Sequence, residues 1–389
     1  MKGTLFSADG IVLALFWGGA AVTWLSSLGY LLILTLIVRG RGGSERPAGA
    51  EPGIAVVVPT LNEEALIGEK IADIQRSDFP RDKMDLVIVD GGSEDGTVEK
   101  VKEKISGGQR IKLFQLAGTP NKADQVNHAL RNVDRDIIVF SDADSRMAVS
   151  CVRELVAELE ADPAAAIIGA TVSPRTGLLA ERIHWWFLNE LWWLEGEVFF
   201  CAGVPGVCFA VRRKALLSMD GGSKADDIRL GLEAGARGFR VRLSRRALAT
   251  EIRVPQTVKE FLQFRRRRGS CYAHEVLRFS RRSRSPIRWR LLRLLRLWQF
   301  LATPIFALVA ILSGLRLAAS RHWPLVILAG AAFLIPVVLK VFEMAGREEK
   351  PRRWVLSLET IRFLILFLVS LLVMRVPFSG QGALGGKRT

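Results

Sequence analysis

Asp142-Ala143-Asp144 stands where the apolar run Ile137 to Phe140 ends. Two carboxylates spaced i, i+2 at the end of a strand point to the same side, so both can reach one hard cation that prefers oxygen ligands, and such a cation can hold a phosphate. The same tripeptide also reads as a solvated turn, because Asp favours turns and caps. Arg265 to Arg268 is a second group with chemical potential. A guanidinium fork meets phosphate oxygens bidentately, yet four arginines in a row also suit a lipid-facing basic patch.

The elements around the acidic pair have a regular order. Strand candidates at Ile54 to Val58, Leu86 to Val89, Ile111 to Leu116, Ile137 to Phe140 and Ala166 to Ala170 alternate with polar, helix-compatible stretches. That alternation predicts an α/β, Rossmann-like domain with a largely parallel sheet. In such sheets ligands bind beyond the carboxyl ends of the strands. Asn62 and Glu63, Asp90, and Asp142 with Asp144 all follow strand ends, so separate strands deliver polar groups to one edge.

Composition sets the surroundings of this domain. Of 389 residues 49% are hydrophobic, and they are concentrated at the two ends, as in a membrane protein with a soluble middle. Ile11 to Val38 is long enough to span a bilayer and longer than the apolar region of a cleaved signal peptide, so residues 1–39 are expected to be an uncleaved anchor. Arg39, Arg41 and Arg46 follow it, which puts the next domain in the cytoplasm. Residues 40–53 are the linker, and the catalytic-type domain is expected over 54–276. Near 178–200 the pairs Trp185-Trp186 and Trp192-Trp193 fall on one helical face, either a core helix or, preferred here, a helix at the water–lipid boundary.

Residues 277–296 form a basic interface segment, followed over 297–376 by about three C-terminal transmembrane helices and a tail at 377–389. The expected spans are Leu297 to Leu315, Trp323 to Leu339 and Trp354 to Met374, the last with Glu359 and Arg362 placed to pair with each other. Both termini would then lie outside a multi-pass cell (inner or plasma) membrane. The net charge of +16 sits largely beside these spans, which favours headgroups over nucleic acid. The four cysteines make no CxxC pair, and HExxH, GxSxG and Walker patterns are absent, which argues against a structural zinc site, a zinc or serine hydrolase and a P-loop ATPase.

Read in order, Val58-Pro59-Thr-Leu-Asn62-Glu63-Glu64, Val89-Asp90-Gly-Gly-Ser-Glu-Asp-Gly-Thr97, Lys122-Ala-Asp-Gln-Val-Asn-His-Ala-Leu130 and Ser141-Asp-Ala-Asp-Ser145 resemble the nucleotide-sugar half of family 2 glycosyltransferases. Lys224-Ala-Asp226-Asp227-Ile-Arg-Leu230 looks like the family's acidic motif, and Gln263-Phe-Arg-Arg266-Arg267 like its QxxRW motif. The resemblance covers roughly Ile54 to Gly269 and implies a GT-A fold. It also implies a substrate-binding set of Pro59, Asn62, Glu63, Asp90, Lys122, Gly203 and Gln263, with Asp90 near a uracil base and Glu63 and Lys122 around the nucleoside diphosphate.

Asp142 and Asp144 become the ligands of Mg2+ or Mn2+, with Asp144 the main one. Asp227 is the implied general base, beside Asp226 where the family usually has Glu. Arg266 and Arg267 are candidates for neutralising the departing diphosphate. Each role has a plainer rival: Asp226-Asp227 as a helix N-cap and first-turn charge, and Gly203 to Gly206 as a structural turn around Pro205.

Arg267 replaces the family's Trp, which is associated with acceptor stacking in polymer-forming members. The expected activity is inverting transfer from a nucleotide sugar, UDP-linked by preference, to a membrane lipid or lipid-linked glycan. Alternatives are a processive polysaccharide synthase, a glycoside hydrolase built on paired carboxylates, and a non-catalytic membrane scaffold with a degenerate transferase domain.

Overall fold

The computed structural model describes residues 8–39, 51–118, 120–199, 201–215, 225–279, 285–319, 322–324 and 326–330. In chain order the elements are α1 (Ala8–Trp24), a π turn (Leu25–Gly29), α2 (Tyr30–Arg39), β1 (Ile54–Thr60), α3 (Glu64–Gln75), β2 (Met84–Asp90) and α4 (Thr97–Ser106). They continue as β3 (Ile111–Gln115), α5 (Lys122–Asn132), β4 (Ile137–Ser141), β5 (Ser145–Met147), α6 (Cys151–Glu160), β6 (Ala165–Pro174) and α7 (Leu179–Val198). Then follow β7 (Cys208–Arg212), α8 (Asp226–Ala236), β8 (Arg240–Glu251), α9 (Val258–Arg278) and α10 (Ile287–Ala319).

Eight strands make one sheet in the order β3-β2-β1-β4-β7-β6-β8-β5. Every residue of β1 and β4 is buried, which is why both read as unbroken apolar runs: helices cover both faces. The sheet is mixed rather than largely parallel. β1–β2, β1–β4, β2–β3 and β6–β8 pair in parallel, whereas β4–β7, β6–β7 and β5–β8 are antiparallel. β5, β7 and β8 lay outside the predicted set. The first two have three and five residues, and β8 alternates arginine with small or aliphatic residues, so none presents a long apolar run.

The Trp-rich helix α7 corrects one expectation. Trp185 and Trp192 are buried with the main core, and α7 packs on β6 and β8. The seven-residue spacing does set one face, and that face covers the sheet instead of a lipid surface. Trp193 lies half-buried under the guanidinium of Arg245, whose Cζ is 3.4 Å from the ring centroid.

Two helical stretches, Ala8–Arg39 and Ile287–Ala319, are long and apolar enough to cross a membrane by length and composition. The first covers the residues expected to form the anchor. The second begins inside the segment expected to be a separate basic interface, because Trp289 is buried with its Nε1 donating to the Leu232 carbonyl at 3.1 Å. That contact starts α10 on the catalytic-type domain. Most of Trp323 to Leu339 and all of Trp354 to Met374 lie outside the described residues. α1 and α10 approach closely at Gly19, where an added Cβ would come within 2.7 Å of the Phe306 carbonyl oxygen.

Candidate active site

The carboxyl ends of β1, β2 and β4 share one edge, since Thr60 pairs with Asp90 and Val57 with Phe140. Strand order reverses between β1 and β4, the position at which open α/β sheets leave a crevice. Pro59 is buried near the end of β1 opposite Val89. Beyond it Asn62 takes a positive φ of 55°, a conformation Asn tolerates better than most residues. This turn brings the Asn62 N–H to Ser93 Oγ at 2.9 Å, while Asn62 Oδ1 accepts from the Glu94 N–H at 2.9 Å. Asn62 therefore braces the β1 loop against the β2 loop.

Asp90 organises the second loop. Its Oδ2 accepts from the N–H groups of Gly92 and Ser93, both at 3.0 Å, and its Oδ1 accepts from Ser93 Oγ. The residue that the resemblance assigns to the base is thus buried and engaged with its own loop. Glu63 is also buried, and its Oε1 accepts from Arg253 at 2.5 Å. Arg253 follows β8 and extends to 3.9 Å from Asp144 Oδ2, so a cation stands beside the acidic pair. Sequence reasoning missed Arg253. The signal was the alternation of Val241, Leu243, Ala247 and Ala249 with polar residues, which would have marked a strand and hence a residue just past its end.

Lys122 opens α5, whose start is fixed by a capping box in which Asn121 and Asp124 each accept from the other's backbone N–H at 3.0 Å. Its Nζ lies 2.5 Å from Asp142 Oδ1. Lys122 is exposed at the mouth of the cleft, and although partial desolvation works against the ammonium charge, Asp142, Asp226 and Asp227 more than offset it and raise the pKa. Lys122 is therefore where the acidic turn and the start of α8 converge. Asp144 is raised above the usual carboxylate range by burial and by its neighbour Asp142. Two carboxylates that repel each other in a cleft favour an added cation. Among the described residues no third His, Cys, Asp or Glu joins them, so oxygen atoms of a bound phosphate would have to complete a metal shell.

At α8, Asp227 Oδ2 accepts from the Gly206 N–H at 3.0 Å and Oδ1 from the Ile228 N–H at 2.9 Å. Burial raises the pKa of Asp227, and burial together with the Asp227 charge pushes Asp226 up to about 6. Gly203 is buried against this helix: a Cβ there would fall 2.4 Å from Ile228 Cδ1, and one on Gly231 would fall 2.7 Å from Gly203 Cα. Its missing side chain makes room for α8.

On α9 the arginines divide by face. Arg265 is buried in an ion pair with Glu181, and Arg268 turns inward to Glu251 with its charge acting on Asp144 and Asp227. Arg266 and Arg267 are exposed. Arg267 and Gln263 line a pocket of about 400 Å3 with Arg253, Val254, Pro255, Glu260 and Phe264. Of the two arginines expected to neutralise charge, the helix thus sends Arg267 to the pocket rim, whereas Arg268, which was not singled out, faces the acidic groups.

With this geometry in hand, comparison with known proteins is decisive about family. Residues 137–342, more than half of the chain, match Glycosyl transferase family group 2, and residues 55–217 match Glycosyl transferase family 2. The chain belongs to the family 2 glycosyltransferases. It is 27% identical over 243 residues to the probable glycosyltransferase YdaM of Bacillus subtilis (strain 168), covering 59% of this chain and 57% of the relative. It is 22% identical over 204 residues to the beta-monoglucosyldiacylglycerol synthase of Trichormus variabilis, covering 49% of this chain and 42% of that one.

The chain thus spans about half the length of these curated relatives. Among solved structures, the mannosyltransferase PcManGT from Pyrobaculum calidifontis, determined with GDP-Man and Mn2+, superposes with a TM-score of 0.68 at 24% identity, over 94% of this chain and 98% of that one. The fold is GT-A.

Proposed function

We propose that this protein is an inverting glycosyltransferase that moves a sugar from a nucleoside-diphosphate donor, UDP-linked by preference, to a lipid or lipid-linked glycan at a membrane. The observation that carries the reading is that the Gly206-Val207 backbone joins the two carboxylate sites: the Asp142 N–H donates to the Val207 carbonyl at 3.1 Å, the Gly206 N–H donates to Asp227 Oδ2 at 3.0 Å, and Lys122 Nζ lies 2.5 Å from Asp142, with Arg253 3.9 Å from Asp144. Donor-side and acceptor-side carboxylates then face one small volume, as a single displacement requires. A divalent cation, Mg2+ or Mn2+, held by Asp142 and Asp144 supplies charge neutralisation at the diphosphate when bound.

The chain's own residues supply the rest. Asp227, oriented by the Gly206 and Ile228 N–H groups, takes the proton from the acceptor hydroxyl as its oxygen attacks the anomeric carbon. The bond from that carbon to the diphosphate oxygen breaks, and the negative charge gathers on the leaving group. Lys122 and Arg253 beside the acidic pair and Arg268 beside Asp227 are the cations that would take up this charge, with Arg267 and Gln263 at the rim for the acceptor or the pyrophosphate. Attack from the face opposite the leaving group inverts the carbon.

A membrane acceptor is supported by the two apolar helices and by the name of the diacylglycerol-sugar synthase to which the chain is similar. In this organisation residues 1–39 anchor a cytoplasmic domain at the cell membrane, 54–276 form that domain, and the C-terminal part returns to the bilayer. The test is a panel of UDP- and GDP-sugars on purified protein in lipid, following nucleoside diphosphate release with Mg2+, Mn2+ or chelator. Metal-dependent release that requires added lipid acceptor is expected. Sugar release from a glycoside without any nucleotide donor would overturn the proposal, and a product too large to partition with lipid would replace it with polymer synthesis.

A further inference from the structure

Helix α3 lays Ile67, Ile71 and Ile74 against the sheet, and the position on the same stripe between them is Lys70, fully buried. An apolar side chain would be the ordinary occupant there, since a buried ammonium is costly unless its protons are matched. They are matched. Nζ donates to Ser141 Oγ at 2.7 Å, to Ser145 Oγ at 2.9 Å and to the Ser145 carbonyl at 3.3 Å, which uses the three protons of the group.

Ser141 and Ser145 are the residues immediately before and after Asp142-Ala143-Asp144. Ser145 Oγ donates to the Asp142 carbonyl at 2.7 Å, and Ser141 Oγ donates to the Val207 carbonyl at 3.0 Å, which also accepts from the Asp142 N–H at 3.1 Å. One turn further along α3, Asp73 Oδ2 accepts from the Met147 N–H at 2.6 Å and grips β5 as well. The acidic turn is held at its base by Lys70 from another element, with Arg146 of β5 donating to the Ser145 carbonyl at 2.8 Å beside it.

We propose that Lys70 is a positioning residue for the acidic pair: by holding both serines it sets the separation and direction of Asp142 and Asp144. This rests on the metal-assisted transferase reading above. Removing Lys70 then impairs cation-dependent binding while leaving contacts on the base side of the cleft, around Asp90, as they are.

The experiment uses the full chain in lipid and titrates UDP and GDP calorimetrically, with and without Mn2+, following thermal unfolding in parallel. Lys70→Met is expected to raise the Mn2+ concentration for half-maximal nucleotide binding by about tenfold, as loss of an orienting outer partner does at metal sites, with metal-free nucleotide affinity unchanged. Ser145→Ala is expected to give a smaller rise in the same direction, and Lys70→Met with Ser145→Ala less than the product of the two, because they act through one contact.

A Lys70→Met protein that folds and needs no more Mn2+ than the wild type overturns the inference. If that variant does not fold, Ser141→Ala and Ser145→Ala decide in the same way. Wild-type protein with no Mn2+-dependent binding of either nucleotide sinks the transferase reading and this inference with it, whereas normal wild-type binding with unchanged variants sinks this inference alone.

Discussion

At the scale of single residues, Asp227 and Asp226 differ in kind although they are neighbours. Asp227 has each oxygen held by a backbone N–H, which fixes the direction of its remaining lone pairs. Asp227→Asn keeps the size of the side chain, gives up one of its two backbone hydrogen bonds because an amide nitrogen cannot accept, and removes the basicity, so turnover should fall by about 10^3-fold while donor binding stays; near-normal turnover would remove Asp227 from the mechanism. Asp226, pushed up to about 6 by burial and by Asp227, adds a pH signature.

The folded pKa of Asp226 lies above its ordinary 3.8, so the folded state binds more protons than the unfolded chain across that interval. Its contribution to stability therefore falls as pH rises from about 4 through about 6. For turnover, burial raises Asp227 above the usual carboxylate range, so kcat/KM should drop on an acid limb shifted upward from that range, and the limb should move lower in Asp226→Asn, which removes a neighbouring carboxylate. A limb unmoved by that substitution would show that the two are not coupled. Arg268→Ala should cost about 10^2-fold in kcat and Arg266→Ala little, because the charge of Arg268 acts on Asp227 whereas Arg266 is exposed.

The acidic turn, Lys122 and Asp226-Asp227 were legible in the sequence because each sits in a short contiguous motif beside a strand end or a helix start. Which arginine of α9 turns inward was not legible. That depends on Glu181 and Glu251, distant in sequence and brought to α9 by α7 and β8.

At the scale of elements, the apolar runs of β1, β2 and β4 disclosed the Rossmann-like half of the sheet, since strands covered on both faces have nothing polar to show. The other half was hidden for the converse reason: β8 carries arginines and other polar residues among its buried positions and β7 is short, so neither stands out until paired. The loop between α7 and β7 has a similar history. Gly203 is expected from the resemblance in the substrate-binding set, and the neighbour that its missing side chain admits is α8.

Backbone meets backbone there, with Gly231 facing Gly203, so no side-chain rotation can absorb an added methyl group. Gly231→Ala should cost about 1–3 kcal/mol of stability by overpacking and, by displacing the start of α8, lower kcat more than it weakens nucleotide binding. Thermal unfolding and a kcat-against-Kd comparison check both parts. A variant as stable and active as the wild type would mean that the contact is slack.

At the scale of the whole molecule, the catalytic-type domain and the two apolar helices meet through buried polar groups. Glu195 of α7, fully buried, accepts from Tyr30 OH of α2 at 3.0 Å and from Arg296 of α10. Arg296 also donates to Gln299 Oε1 at 2.5 Å, and Gln299 Nε2 reaches the Ser26 carbonyl in the π turn at 2.8 Å. Such a chain of contacts fits only one register of α10 against α2 and α7, whereas apolar packing alone tolerates sliding.

Register matters here because α10 begins with Trp289 docked on the end of α8, so a shift of the helix reaches the element that carries Asp227. A buried ion pair costs more to break from one side than to replace as a whole. Arg296→Leu strands Glu195 and should lower stability by about 3–5 kcal/mol, while Arg296→Leu with Glu195→Leu should recover a large part of that loss. If specificity of register is what the polar cluster provides, the stable double variant should still show reduced turnover, and cysteine pairs placed across α2 and α10 should cross-link in more than one register. A double variant with wild-type turnover and a single cross-linking register would leave the cluster a purely local stabiliser.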